Sequence, residues 1–300
     1  MNICNPHPQV RFSQRAWWFA AALALLLAAG AKPAPVERPI MMESNGPGSE
    51  LYVLDETGIL HEYRVSENGL AEYGHLLVPS GFNASDMSFA QTETPHSLLI
   101  AGTRAGHGVV LRLALDSRTL RTWSFQNICG GVDTGARAAV AYVATSDSNE
   151  IFRIDLKGTG ISRVAQIPNA SKLGPLAYDE THQDIYVADV AGGRVYQYSL
   201  AARSSRVFVT HLSAPTALVF DEITNRLFIA DPGQGGIFAV DTRSARPVAI
   251  RFAMAPLQAP YGMTLISQDR VAVADHRSNS IFVFSGNGRL LFRYPANGTQ

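Results

Sequence analysis

The sequence predicts an all-β chain assembled from six four-stranded units, on three observations. Short runs rich in β-branched and aromatic residues alternate with polar or glycine turns, and no helical period follows residue 37. One phrase recurs: "LFIADPGQGGIFAVD" at residues 227–241 is echoed by "IYVADVAGGRVYQYS" before it and "VAVADHRSNSIFVFS" after it. Finally, the residues that end the first run of each copy, Asp55, Gly102, Thr145, Asp189, Asp231 and Asp275, stand a mean of 44 residues apart, so six copies fill the chain from Glu37 to Gln300. Strands repeated at about 40 to 50 residues are the signature of propeller blades. One sheet cannot bury both of its faces, whereas a closed ring of six can. The expectation is a six-bladed β-propeller with a channel along its axis.

Before the first blade, Arg11 and Arg15 precede "AWWFAAALALLLAAG", an uncharged stretch from Ala16 to Gly30. It is shorter than the roughly 20 apolar residues that span a bilayer. Ala29 and Ala31 fit a cleavage site before Lys32. Residues 1–31 are therefore expected to be a secretory signal and 32–300 the propeller domain, secreted or periplasmic; an uncleaved membrane anchor is the alternative. Cys4 would leave with the signal, and Cys129 alone forms no internal disulfide.

Copy one, "LYVLDETGILHEYRV", lacks an evident inner strand, and "RPIMMES" at residues 38–44 is expected to supply it. Copy six already owns its outer pair, "SIFVFSG" and "GRLLFRY", so the ring should close by packing the first blade on the last. Copy four divides into "GPLAYDETH", "DIYVAD", "RVYQYSL" and "SRVFVT", and copy five into "APTALVFDEI", "RLFIAD", "GIFAVDT" and "PVAIRF". The Asp ending the second strand is expected to accept hydrogen bonds from the turn that follows, a structural role. Copies two and three depart from it with Gly102 and Thr145.

Across residues 173–293, "GPLAYDETHQDIYVADVAGGRVYQYS" and "APTALVFDEITNRLFIADPGQGGIFAVD" resemble the NHL-repeat propellers; the likeness fades in copies one to three. Related propellers of the gluconolactonase and senescence-marker type hold Ca²⁺ or another divalent ion at the central mouth, on carboxylate and amide oxygens from several blades. That resemblance implies Asp86 and Asp133 as metal ligands, with Asn83 and Asn169 beside them, and a lactonase or esterase whose ion activates water.

Asn83, Asp86, Asp133, Asn169, His211 and Tyr261 all lie where an outer strand should hand over to the next inner strand, and would meet at one mouth if the blades share a register. Copies four to six instead enter with "GPLA", "APTA" and "APYG", which suits a ligand channel better than a dense metal cage. The common catalytic signatures GxSxG, HExxH, GK[ST] and GxGxxG are absent. Basic and acidic residues balance at 25 each, with no basic run to engage nucleic acid or an anionic membrane. The expectation is an exported binding or interaction module, its ligand or protein partner at one mouth, without a firmly implied cofactor. The alternative is the Ca²⁺-dependent lactonase or esterase.

Overall fold

The computed structural model describes residues 36–295 except 46–48, 68, 92–95, 136, 138, 254–255 and 268. Blade one comprises β1 (Pro39–Ser44), β2 (Glu50–Asp55), β3 (Ile59–Ser66) and β4 (Gly69–Leu77). Blade two holds β5 (Phe82–Ala90), β6 (Ser97–Arg104), β7 (His107–Ala114) and β8 (Leu120–Phe125), and blade three β9 (Cys129–Thr134), β10 (Val140–Thr145), β11 (Glu150–Asp155) and β12 (Ile161–Gln166). Blade four is β13 (Leu173–Asp179), β14 (Asp184–Asp189), β15 (Arg194–Ser199) and β16 (Ser204–Val209). Blade five is β17 (Ala217–Asp221), β18 (Arg226–Asp231), β19 (Gly236–Asp241) and β20 (Ile250–Arg251), and blade six β21 (Pro260–Ser267), β22 (Arg270–Asp275), β23 (Ser280–Ser285) and β24 (Leu290–Pro295). Each blade is an antiparallel sheet in chain order. Among the described residues the only helical element is a 3₁₀ turn at Pro232–Gln234.

The expected second strands end at their anchors in five blades, but β6 runs on to Arg104. A Cβ on Gly102 would stand 2.2 Å from the Asn83 carbonyl oxygen, so only glycine lets β5 pass this close and prolong the ladder to Phe82 opposite Arg104. The expected outer strand "PVAIRF" shrinks to two residues, and Pro247, which has no N–H to give a ladder, precedes it.

Six apolar cores fill the six wedges between blades, and this is where the repeat is stabilised. Between blades one and six, Met42, Leu51, Val53 and Tyr63 pack on Ala272, Ala274, Ile281 and Val283. β1 supplies the inner strand of blade one, so the ring closes without exchanging a strand. Polar stitches join the same seam: Ser44 Oγ donates to the Leu265 carbonyl at 2.5 Å, and Arg38 N to Asn279 Oδ1 at 2.6 Å.

The anchor carboxylates bind the following turn, as expected: Asp189 accepts from Gly192 N at 3.0 Å, Asp231 from Gln234 N at 3.3 Å and Asp275 from Ser278 N at 3.0 Å. They also grip the incoming crossover of their own blade. Asp189 accepts from Ser171 N at 3.1 Å and Lys172 N at 2.9 Å, Asp231 from Ser213 N at 2.7 Å and Ala214 N at 3.0 Å, and Asp275 from Gln258 N at 2.6 Å. In blade three Asp147 takes over, accepting from Ile128 N at 2.9 Å, while Thr145 Oγ1 accepts from Glu150 N at 3.1 Å. The crossovers into blades three to six are thus fixed before they turn onto the axis.

Candidate functional site

Each inner strand has a ladder partner on one side only, so the backbone groups on its other edge face the axis and need partners there. The registers stack the inner strands in layers. Met42, Met87, Val132, Leu176, Leu218 and Met263 each lie opposite the second-strand residue two before the anchor, and all six are buried. One step further from the anchors stand Glu43, Ser88, Asp133, Ala177, Val219 and Thr264. Asp86 lies a layer the other way, opposite Ala101.

These layers bound an axial cavity of about 870 Å³. Glu43, Asp86, Asp133, Asp221, Glu222 and Asp269 are in its wall, but no Lys, Arg or His among the described residues is. Blades five and six contribute an apolar side through Leu218, Val219, Phe220, Met263 and Leu265.

Three carboxyl groups link the inner strands. Asp86 accepts from Met87 N and, across to blade three, from Val132 N, both at 3.0 Å. Asp133 Oδ1 accepts from Ser88 Oγ of blade two and from Thr134 N, and its Oδ2 from Tyr178 N of blade four, all at 2.8 Å. Glu43 Oε1 accepts from Ser44 N at 3.0 Å and from Thr264 Oγ1 of blade six at 3.1 Å.

Solvent reaches these carboxyls through the cavity, but the ring of strands surrounds them and disfavours their charge. Burial, with the negative charge of Asp133 next, pushes Glu43 up to about 8. Burial likewise raises Asp86 to about 8 against the opposing N–H bonds of Val132 and Met87. Asp133 rises to about 6, again by burial, the bonds from Tyr178 N and Ser88 Oγ holding it lower. Near neutral pH Glu43 and Asp86 are mostly protonated and Asp133 is mostly ionised.

Of the six residues expected to meet at a mouth, the cavity collects Asp86, Asp133 and Tyr261, whose ring sits 5.1 Å from that of His276. Asn83, Asn169 and His211 are exposed and do not line it. Asn169 and His211 have φ of 62° and 65° and turn the crossover; their carbonyls accept from Arg194 Nη2 at 2.8 Å and Gln234 Nε2 at 2.6 Å. Among the described residues no three His, Cys, Asp or Glu side chains are grouped to hold a metal ion. Glu43, Ser88 and Thr264 were missed. Glu43 stands twelve residues before its anchor Asp55, as Asp133 does before Thr145, and that spacing is the signal that could have found it.

Fold and channel together define a six-bladed β-propeller. The chain matches no protein-family model and no curated protein. It is similar to a chain in the crystal structure of a nidogen/laminin complex, with a TM-score of 0.68 and 13% identity over 79% of this chain and 90% of that one. It is also similar to a structural genomics protein of unknown function from Bacteroides thetaiotaomicron, with a TM-score of 0.65 and 13% identity over 87% of this chain and 72% of that one. At such identities the likeness is one of fold.

Proposed function

We propose that this chain is an exported, NHL-like propeller that works as a binding module, holding a small ligand in its axial channel. The observation that carries the reading is the cavity of about 870 Å³, within the size range of small-molecule sites and lined in part by apolar side chains of blades five and six and in part by carboxyl and hydroxyl groups. The hydrogen bonding of Asp86 and Asp133 to neighbouring blades also favours a scaffold role for these two over metal ligation. The similar nidogen/laminin structure is that of a protein complex, which is in keeping with propellers serving recognition.

Two measurements test the reading. A panel of small fragments is screened by calorimetry against the wild type and Val219→Trp, which narrows the channel; hits should weaken in the variant. Hits that bind both proteins equally would place binding elsewhere. Thermal melts with Ca²⁺ and with chelator should coincide. A Ca²⁺-dependent shift that disappears in the Asp86→Ala, Asp133→Ala double variant would replace this reading with the metal-dependent lactonase.

A further inference from the structure

We propose that the ligand of the axial cavity is an organic monocation, an ammonium head on an apolar body, and that Glu43 is its counter-ion. This rests on the reading of the cavity as a binding site and adds the ligand class.

Three observations carry it. The cavity wall has carboxyl groups from several blades but no basic side chain among the described residues, so an anion would find no partner there. The carboxyls differ in what remains free. Asp133 uses both oxygens on Ser88, Thr134 and Tyr178, and Asp86 both of its own on Met87 and Val132. Glu43 uses only Oε1; its Oε2 accepts no hydrogen bond among the described residues, although the side chain lines the cavity. Finally, Leu218, Val219, Phe220 and Leu265 of the same cavity offer an apolar surface for the body of such a ligand. A divalent ion needs several oxygen ligands converging. A single ammonium needs one ionised carboxylate with a free oxygen, which Glu43 provides in Oε2, held in place through Oε1 by Ser44 N and Thr264 Oγ1.

Glu43 must ionise to serve. Asp86 on β5, Asp133 on β9, Tyr178 on β13, Asp221 on β17 with Glu222 after it, Tyr261 on β21 and Asp269 beyond it are the other titratable groups of the same cavity; burial first, then the negative charge of Asp133, holds the Glu43 proton on. Binding of the cation releases that proton to solvent, so affinity should rise as the pH approaches about 8.

The test is calorimetric titration of the wild type, Glu43→Gln and Thr264→Val with phenethylammonium, phenethyl alcohol, phenylacetate and CaCl₂. Glutamine is nearly isosteric with the protonated acid, so that variant should fold; Thr264→Val keeps the carboxyl and loses only the hydroxyl that orients it. The wild type should bind the ammonium about tenfold or more tightly than the alcohol and should not bind phenylacetate. Glu43→Gln should lose the preference for the ammonium while binding the alcohol as before, and Thr264→Val should keep part of it. Equal binding of ammonium and alcohol, or a preference that survives in Glu43→Gln, overturns the inference and leaves the cavity reading standing. Glu43-dependent binding of Ca²⁺ overturns it in favour of a metal. If the wild type binds none of the probes, the inference is overturned, and if Val219→Trp also changes nothing in the fragment panel, the cavity reading falls with it.

Discussion

Replacing Asp189 by alanine should remove the clamp that fixes the crossover into blade four. The carboxylate is fully buried and accepts from Ser171 N at 3.1 Å, Lys172 N at 2.9 Å, Gly192 N at 3.0 Å and Arg194 Nε at 3.0 Å. Alanine strands three backbone donors and a guanidinium. Hydrogen bonds to a charged group are worth about 1.5–3 kcal/mol each, but Ser171 and Lys172 are exposed residues whose N–H groups can regain water, which favours the lower end. With that water regained, each of the four contacts falls below this range to roughly 1 kcal/mol, a loss of about 3–5 kcal/mol in all. In a domain of this size that corresponds to a fall in Tm of about 8–15 °C. Asp189→Asn keeps one acceptor without the charge and should cost about half as much. Urea unfolding followed by circular dichroism measures both.

The pH dependence provides an internal control. Burial raises the Asp189 pKa, but the bonds from Lys172, Ser171, Arg194 and Gly192 outweigh it and hold the group below its usual value. A depressed carboxylate contributes stability above its unfolded pKa and loses it as the pH falls through the folded one. The gap between wild type and Asp189→Ala should therefore persist at neutral pH and narrow below about pH 4. An alanine variant within about 0.5 kcal/mol of wild type at neutral pH would refute the reasoning, since surface substitutions without a named partner fall in that range.

Deleting residues 38–44 removes β1, its seam with blade six and the Glu43 linkage, and should lower the melting temperature or prevent folding; an unchanged melt would show that β1 is dispensable. His61 is buried between Asp55 Oδ2 at 3.1 Å and Glu72 Oε1 at 2.9 Å; burial lowers its pKa, but these two bonds raise it further, to a net value above the usual one. Its stabilisation is present below the unfolded pKa near 6.5 and lost as the pH rises through the folded one, so His61→Gln should cost more at about pH 5.5 than at about pH 9, and equal costs would contradict the pairing. Glu43 has the opposite balance for an acid: with a folded pKa of about 8, the wild type loses stability between about pH 4 and pH 8, so Glu43→Gln should gain on it at about pH 9 in ligand-free melts. N-terminal sequencing of exported protein should start at or near Lys32; residues 1–31 lie outside the described ones, and an intact Met1 would argue for the anchor instead.

The blades were legible because their information is local. β-branched runs, turns and a fixed interval between anchors survive in "DIYVAD" and "RLFIAD" without knowledge of any neighbour. β1 was legible only by elimination, as the strand that copy one still needed. The clamp was half legible: a turn two or three residues after Asp189 can be read from the chain, but its grip on Ser171 and Lys172 depends on where the crossover runs. The site suffered most. Bulges between Ala84 and Asp86, Leu173 and Leu176, and Pro260 and Gly262 shift the register at the blade entrances, so counting from the anchors fails there. Asn169 and His211 were expected at the mouth because they sit beside inner strands, yet their positive φ values belong to the turn outside it.

The acids on the axis differ in whether they serve the unpaired inner edge of a neighbouring strand. Blades one, four, five and six enter the axis through Pro39, Pro175, Pro215 and Pro260, none of which has an N–H to be satisfied. Blades two and three have no proline in "GFNASDM" or "ICGGVDT", and these are the blades that carry Asp86 and Asp133. The two carboxylates supply acceptors to Val132 N and Tyr178 N, on the neighbouring strands nearest them. Glu43 breaks the pattern. Its blade already has Pro39, the donors it meets are its neighbour Ser44 N and the hydroxyl of Thr264, and one of its oxygens has nothing to accept from among the described residues. An acid held near a pKa of 8 costs stability at neutral pH and above. That cost is what a cation bound beside it would remove; Asp86 carries a similar one, but both oxygens of Asp86 and of Asp133 are held by neighbouring strands, and only Glu43 keeps an oxygen with which to meet a ligand.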